Sequence, residues 1–403
     1  MKTLQQTQTL TESGPFGCKA IQIYIVAILF YTTSHILLIL VPLGSHALGA
    51  TPSQIGLIMG GYMFTSMFLR PIAGKIVDKF GVNRIFAAAL ILNVLALSFY
   101  AVQELWVFAL LRIIQGIILS FFSMISHLMI IEVLPEKARG QGLSLFSLSS
   151  MLPYTYGPFL TLYIMDKVPQ TYLFLALIPI GLTTFLIGIN IRLPDRSESH
   201  AIAAHTHSKQ TSGSYQVWKD RKLWFPSIIM LMASAVIGTV AAFLPLYMET
   251  RGLPYAGVYF LTETVVLIVL RFFGRSFIPT GRRFPIRMVG TLILLLTTAA
   301  GLIRVAEGLP LLLVAAACNG IALSMLYPTL VTYVSFVVPE RFRGRGIGLF
   351  IAAADFGTSV GTMGLSLLAG VYSYDAMFTG CLVTGVSALL VIFLFSRAKG
   401  VIE

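Results

Sequence analysis

Charge is what this sequence has least of. Only 11% of its 403 residues are Asp, Glu, Lys or Arg, and 57% are hydrophobic, where a soluble globular chain is about 25% charged. So little charge cannot cover a water-facing fold of this length, and the solvent implied is lipid. Acids are scarcer than bases, 16 against 28, for a net charge of +12. In a soluble domain that excess would point to nucleic acid, but such binding needs the bases gathered on one folded face. Here they fall in short stretches between apolar runs, so no nucleic-acid partner is expected. Cysteine is nearly missing: Cys18, Cys318 and Cys381 lie far apart, which indicates neither a disulfide framework nor a cysteine-rich metal site. The sequence also lacks H-E-x-x-H, G-x-S-x-G and a phosphate-cradling P-loop, so neither a membrane enzyme nor an ATP-driven pump is indicated.

Long apolar runs are present instead. A helix crosses the roughly 30 Å hydrocarbon layer in about 20 residues. Runs able to do so cover about 20–41, 54–72, 84–102, 105–133, 141–164 and 171–191, then 223–247, 255–277, 287–304, 309–337, 343–371 and 376–396. The expected fold is an all-α membrane protein of twelve transmembrane helices. Residues 20–191 form one six-helix bundle and 223–396 another, with 192–222 a polar, Ser- and Pro-bearing cytoplasmic linker. The linker carries His200, His205 and His207, but no fixed scaffold would hold them as ligands, so no metal site is expected. The polar residues 1–19 have no apolar core or small-residue cleavage site and predict a cytoplasmic tail rather than a signal peptide; residues 397–403 form a second tail.

Orientation follows from Lys and Arg, which collect on the cytoplasmic side of a membrane protein. With the amino terminus inside, the inner segments hold Arg70, Lys75, Lys79, Arg84, Lys137 and Arg139, then the basic linker, then Arg271, Arg275, Arg282, Arg283, Arg287, Arg341, Arg343 and Arg345. The outer side holds Lys167, Arg251 and Arg304. Both termini are therefore predicted to be cytoplasmic.

The two halves are repeats. Pro135, Glu136, Arg139, Gly140, Gly142, Leu145 and Phe146 recur, at one constant offset, as Pro339, Glu340, Arg343, Gly344, Gly346, Leu349 and Phe350. The same offset takes Gly116 to Gly320 and Gly157 to Gly361. Near the outer turns it slips slightly, yet Pro42, Gly49, Pro52 and Gly56 still meet Pro245, Gly252, Pro254 and Gly257. An even number of spans in each copy gives both copies one orientation, the arrangement of parallel-repeat transporters.

The stretch Arg70 to Arg84 lies between the second and third runs. It resembles motif A of the major facilitator superfamily, G-x-x-x-D-R-x-G-R-R, through Gly74, Asp78, Gly81 and Arg84; Lys79 stands where that motif has Arg, and Val82-Asn83 interrupts the basic run. Arg112, Gln115 and Gly116 match the superfamily's fourth-helix R-x-x-Q-G. Tyr156-Gly157-Pro158 resembles the core of its antiporter motif, although Thr161 and Leu162 stand where glycines are expected. The resemblance covers nearly the whole chain. It implies that Asp78 latches the inner side by meeting amides at the start of the eleventh helix and pairing with Arg139 or Arg84, with Gly74 and Gly81 allowing a tight turn and close approach. The repeat mate of this stretch, Arg271 to Arg287, has no acid, so the latch is expected on one side only.

Ionisable groups inside spans are costly and mark cavities or partners. Arg112 is the strongest: it either faces a cavity or hydrogen-bonds carbonyls of a neighbouring helix. Glu263, Asp355 and His35 complete the set of candidate proton-coupling and cavity groups; for the two acids the other reading is a structural lock. Gln115, one turn from Arg112, and Asn319 occupy the same repeat position, which suggests a hydrogen-bonding pair across the cavity. Tyr31, Tyr154, Tyr259 and Tyr327 are candidate cavity phenols, the competing role being helix packing.

The expectation is a proton-coupled secondary transporter, driven by the proton gradient without a cofactor. It would work as a monomer in a bacterial cytoplasmic (inner) membrane, with a small-molecule substrate, protons and lipid as partners. Similarity to the drug-efflux branch favours export of a small amphipathic or zwitterionic molecule, such as a drug, a siderophore-like metallophore or a metabolite. The alternatives are import of a small organic solute and a non-transporting membrane sensor.

Overall fold

The structure, a computed structural model, describes residues 14–191, 193, 221–273, 279, 281–339 and 343–397. Twelve helices and no strand occur among these residues: α1 (Cys18–Ala47), α2 (Pro52–Phe80), α3 (Val82–Phe99), α4 (Leu105–Val133), α5 (Glu136–Met165), α6 (Gln170–Ile189), α7 (Arg221–Thr250), α8 (Ala256–Phe273), α9 (Ile286–Val305), α10 (Leu309–Val337), α11 (Arg343–Val371) and α12 (Tyr374–Arg397). Nine of them, all but α2, α5 and α8, are long and apolar enough to cross a membrane by length and composition. With no water in the hydrocarbon layer, every backbone amide and carbonyl there must be paired within the chain, and helices do this locally. The chain is a multi-pass integral membrane protein.

Several helices outrun the apolar runs that announce them. The basic stretch expected as a loop between the second and third spans is largely helix: α2 continues through Arg70 and Lys79 to Phe80, and α3 starts at Val82. Helix can continue past the hydrocarbon edge because lengthening an existing helix avoids the costly nucleation step, and Lys75 and Lys79 are exposed. The corner is the single residue Gly81, whose φ of 88° is readily reached by glycine and whose amide closes on Val77 O at 2.8 Å. Gly74, expected in a tight turn, sits mid-helix, and a Cβ there would be 3.9 Å from Met124 Sδ, an ordinary contact. At its other end α2 is started by Thr51, which accepts from the Gln54 amide while the Gln54 side chain accepts from the Thr51 amide, and by Pro52 in the first turn.

Each half is built alike. In the first, α1 packs on α5 and α6, α2 on α4, and α3 on α4 and α6; in the second, α7 packs on α11 and α12, α8 on α10, and α9 on α10 and α12. The repeated glycines sit at the same crossings. A Cβ on Gly116 would run into Tyr62 O, and one on Gly320 would lie 2.6 Å from Glu263 O; a Cβ on Gly142 would strike Leu134, and one on Gly346 would lie 2.7 Å from Val338. Bare backbone at these points lets helices approach closely, which is how helices associate where lipid removes the hydrophobic drive. The linker expectations, His200, His205 and His207 included, lie outside the described residues.

The halves meet along two seams, α2 with α11 and α5 with α8, with a lesser contact of α1 on α7. These seams position the site.

Candidate functional site

The α5–α8 seam carries a carboxylate. Glu263 lies midway along α8 and is 3% exposed. Its Oε2 accepts from Asn319 Nδ2 of α10 at 3.0 Å, and its Oε1 accepts from the Tyr154 hydroxyl of α5 at 3.4 Å. Tyr154 belongs to the first half, so this hydrogen bond crosses between the bundles. One residue on, Thr264 Oγ1 donates to the Thr155 carbonyl, again across the seam. No cation pairs with Glu263 among the described residues. The buried Tyr259 hydroxyl, one turn before it on α8, lies beside both Asn319 and Glu263. His35 of α1 packs edge-on against Tyr154, ring centres 5.3 Å apart, and Tyr31 lies 6.4 Å from His35 in stacked orientation. Glu263, Asn319, Tyr154, Tyr259 and His35 are thereby brought together.

The second expected acid lies at the other seam. Asp355 of α11 pairs with Arg70 of α2 at 3.0 Å, with side chains 14% and 30% exposed. Arg70, counted in the sequence among inner-loop charges, is thus a helical residue joining the halves. Tyr327 of α10 interacts electrostatically with Asp355, Arg70 and Arg271, and Tyr31 with Arg70 and Asp355. Tyr327 also packs against Phe350, ring centres 5.6 Å apart.

Arg112 joins neither group. It is 1% exposed within the first half; its Nη2 donates to Leu37 O of α1 and meets Met59 Sδ at 3.5 Å, and its guanidinium lies 5.3 Å from the centre of the Tyr62 ring. Of the two roles open to Arg112, the geometry is that of a hydrogen bond to a carbonyl of α1, with α2 met through the Met59 sulfur and the Tyr62 ring. The expected Gln115–Asn319 pair across the cavity is overturned. Gln115 Oε1 accepts from the Tyr100 hydroxyl at 2.9 Å inside the first half, and Asn319 serves Glu263 inside the second. The two repeat mates differ by one methylene and engage partners that the repeat does not share. Of the motif A group, Arg139 Nε donates to Ile131 O at 3.1 Å and to Leu134 O at 3.4 Å; the side chain of Asp78 lies outside the described residues.

Toward the turns expected to be external, the two seams differ. On α2–α11, a Cβ at Gly56 would collide with Ser366 and the Thr362 carbonyl, one at Gly60 would collide with Met363, and Ser359 Oγ donates to Gly60 O at 3.0 Å. Beside α5–α8 lies a cavity of about 610 Å³ that α1 and α7 also line, with Leu43, Phe159, Leu162, Asp166, Glu249 and Gly257 among the residues around it. No group of three or more His, Cys, Asp or Glu side chains able to hold a metal occurs among the described residues.

Two functional candidates escaped the sequence reading, Arg70 and Arg271, because both stand at the basic end of an apolar run. One signal was available: the 201-residue offset from Gly56 to Gly257 also takes Arg70 to Arg271 and Tyr62 to Glu263.

Comparison with known proteins agrees with this architecture. The Major Facilitator Superfamily model matches residues 23–306 and 278–401. The staphylopine export protein of Staphylococcus aureus is 32% identical over 374 residues, 91% of this chain and 94% of that protein. The putative multidrug resistance protein MdtD of Salmonella paratyphi B is 26% identical over 183 residues, 43% of this chain and 39% of that protein. Among solved structures, a D-xylose-proton symporter superposes with a TM-score of 0.75 at 15% identity, covering 95% of this chain and 98% of that one, a likeness of fold. Duplicated bundles, paired seams and the family match together make the chain a member of the major facilitator superfamily, a transporter and not an enzyme.

Proposed function

We propose that this protein exports a small metallophore from a bacterial cytoplasm in exchange for protons, by rocking its two six-helix bundles with both termini inside. The observation that carries the export reading is the 32% identity, over nearly the whole of both chains, to a staphylopine exporter. Proton coupling rests on Glu263: a buried carboxyl group without a counter-cation, held by Tyr154 across the seam, is a group whose protonation can change as the seam opens. Protonation at Oε1 or loss of the Tyr154 contact would weaken the link between α5 and α8, tying proton occupancy to bundle movement. The motif A residues Gly74, Asp78, Gly81, Arg84 and Arg139 would govern closure at the inner side. The test is uptake of radiolabelled staphylopine by everted membrane vesicles. A pH gradient, acid inside, should drive accumulation and a protonophore should abolish it; accumulation unaffected by the protonophore would reject proton coupling, and no accumulation would reject the cargo.

A further inference from the structure

Arg271 has no acid where its repeat mate has one. The 201-residue offset that relates Arg271 of α8 to Arg70 of α2 is also built into the packing, because Gly116 lies on Tyr62 O and Gly320 on Glu263 O, carbonyls separated by the same 201 residues. At the α2–α11 seam Arg70 has Asp355. At the α5–α8 seam the residue related to Asp355 by the 204-residue offset of Gly157 and Gly361 is Met151. Among the described residues Arg271, unlike Arg70, forms no ion pair, and its Nε, like those of Arg70 and Arg112, is buried without a hydrogen-bond partner. Arg271 and Tyr327 are each only partly buried and lie near one another, and Tyr327 also lies near Arg70 and Asp355. Among the described residues this group holds two guanidiniums, one carboxylate and a phenol. A partly buried guanidinium without a counter-ion near the end of a span can be completed by an anion, and its fork of N–H donors fits a carboxylate bidentately.

We propose that Arg271 is the carboxylate-binding residue of the transport site, with the cargo's carboxylate standing where the repeat would place a second Asp355. Tyr327 flanks the bound group. The assignment rests on the reading of the cargo as a small metallophore and adds that the exported form presents a free carboxylate to α8.

Equilibrium binding to the purified full-length protein in detergent tests this without requiring transport. The probes are iminodiacetate, a small amino-dicarboxylate chelator, and its dimethyl ester, which keeps the amine and removes the anionic charge. Wild type should bind the diacid at least about tenfold more tightly than the diester, the scale of one charge-assisted bidentate contact. Arg271→Gln should erase that preference, and Arg271→Lys, which keeps the charge without the fork, should retain part of it while eluting as a monodisperse species. Equal binding of diacid and diester by wild type, or an undiminished preference in the Gln and Lys variants, overturns the proposal. Failure of everted wild-type vesicles to take up staphylopine, with Arg271-dependent diacid binding intact, overturns the cargo reading alone.

Discussion

The α2–α11 and α5–α8 seams descend from one repeated contact, and they have parted in chemistry while keeping their frame. Both retain the glycine crossing behind them, Gly116 on α2 and Gly320 on α8. On α2–α11 the half toward the turns expected to be external is closed by glycine, serine and threonine, and the part beyond it by Arg70–Asp355. On α5–α8 the same positions hold an open cavity of about 610 Å³, a buried Glu263 where α2 has Tyr62, and Arg271 facing no acid. In this chain the glycine packing of the repeat is kept at both seams while the charged groups are not. Under the proposed function, the first seam would serve as a contact to pivot on and the second as a place for a ligand and a proton. Each prediction below is a way to break or sharpen that division.

The largest effect is expected at Glu263. Glu263→Gln keeps the side chain's shape and one acceptor oxygen, so one of the two donors, Asn319 or Tyr154, must turn to accept from the new amide, and it removes the exchangeable proton; gradient-driven accumulation of staphylopine in everted vesicles should fall about 100-fold, while counterflow exchange without a gradient persists. Tyr154→Phe should lower accumulation less, since it removes only the 3.4 Å contact across the seam. Normal pH-driven accumulation by Glu263→Gln would move coupling to another group, Asp355 first.

Next comes Gly56→Leu on α2. A side chain there must displace Ser366 and the Thr362 carbonyl, and overpacking of this kind costs about 1–3 kcal/mol. The melting temperature in detergent should drop, and transport should fall by about tenfold because the pivot no longer closes. A variant with unchanged melting and transport would show that this seam is looser than its geometry indicates.

The frame of these seams was readable in the sequence and the partners largely were not. Periodic apolar runs, the constant repeat offset and isolated charges inside spans gave the bundles, Arg112, Glu263 and Asp355, because each is a violation of lipid solubility that one chain records by itself. Which group answers each charge depends on rotation of helices that no single run encodes. Arg112 could be seen to be buried, yet only packing shows that Leu37 O of α1 receives it. Gln115 and Asn319 hold one repeat position and diverge because the shorter amide stays beside Glu263 while the longer one reaches Tyr100. Arg70 and Arg271 were hidden for another reason. Positive charge at the inner end of a span already has an explanation in topology, and the last turns of a long helix look the same in sequence as a basic loop.

A smaller effect is expected from the ion pair that holds the first seam. Asp355→Asn leaves Arg70 partly buried without its partner, and Arg70→Gln does the converse. Each alone should destabilise by about 1–3 kcal/mol, the range for removing one partner of a partly buried charged contact. The double variant should recover part of that loss, since two neutral amides need not be desolvated as ions. A double-mutant cycle on thermal or denaturant unfolding in detergent measures the coupling. Additive losses would mean that Arg70 and Asp355 act independently, and the α2–α11 seam would then be held by its small residues alone.

The smallest change sharpens the comparison most directly, because it repeats the Gly56 substitution at its repeat mate. Gly257 of α8 lines the open cavity, and a Cβ there would lie 3.8 Å from Leu162 Cβ, an ordinary contact. Gly257 also has no need of a positive φ, and alanine favours helix over glycine by roughly 0.5–1 kcal/mol. Gly257→Ala should therefore leave the melting temperature unchanged or raise it slightly, while Gly56→Ala, placed against Ser366, lowers it. Equal losses at both positions would mean that the cavity between α5 and α8 closes in the resting protein, and the asymmetry of the seams would belong to one conformation rather than to the sequence.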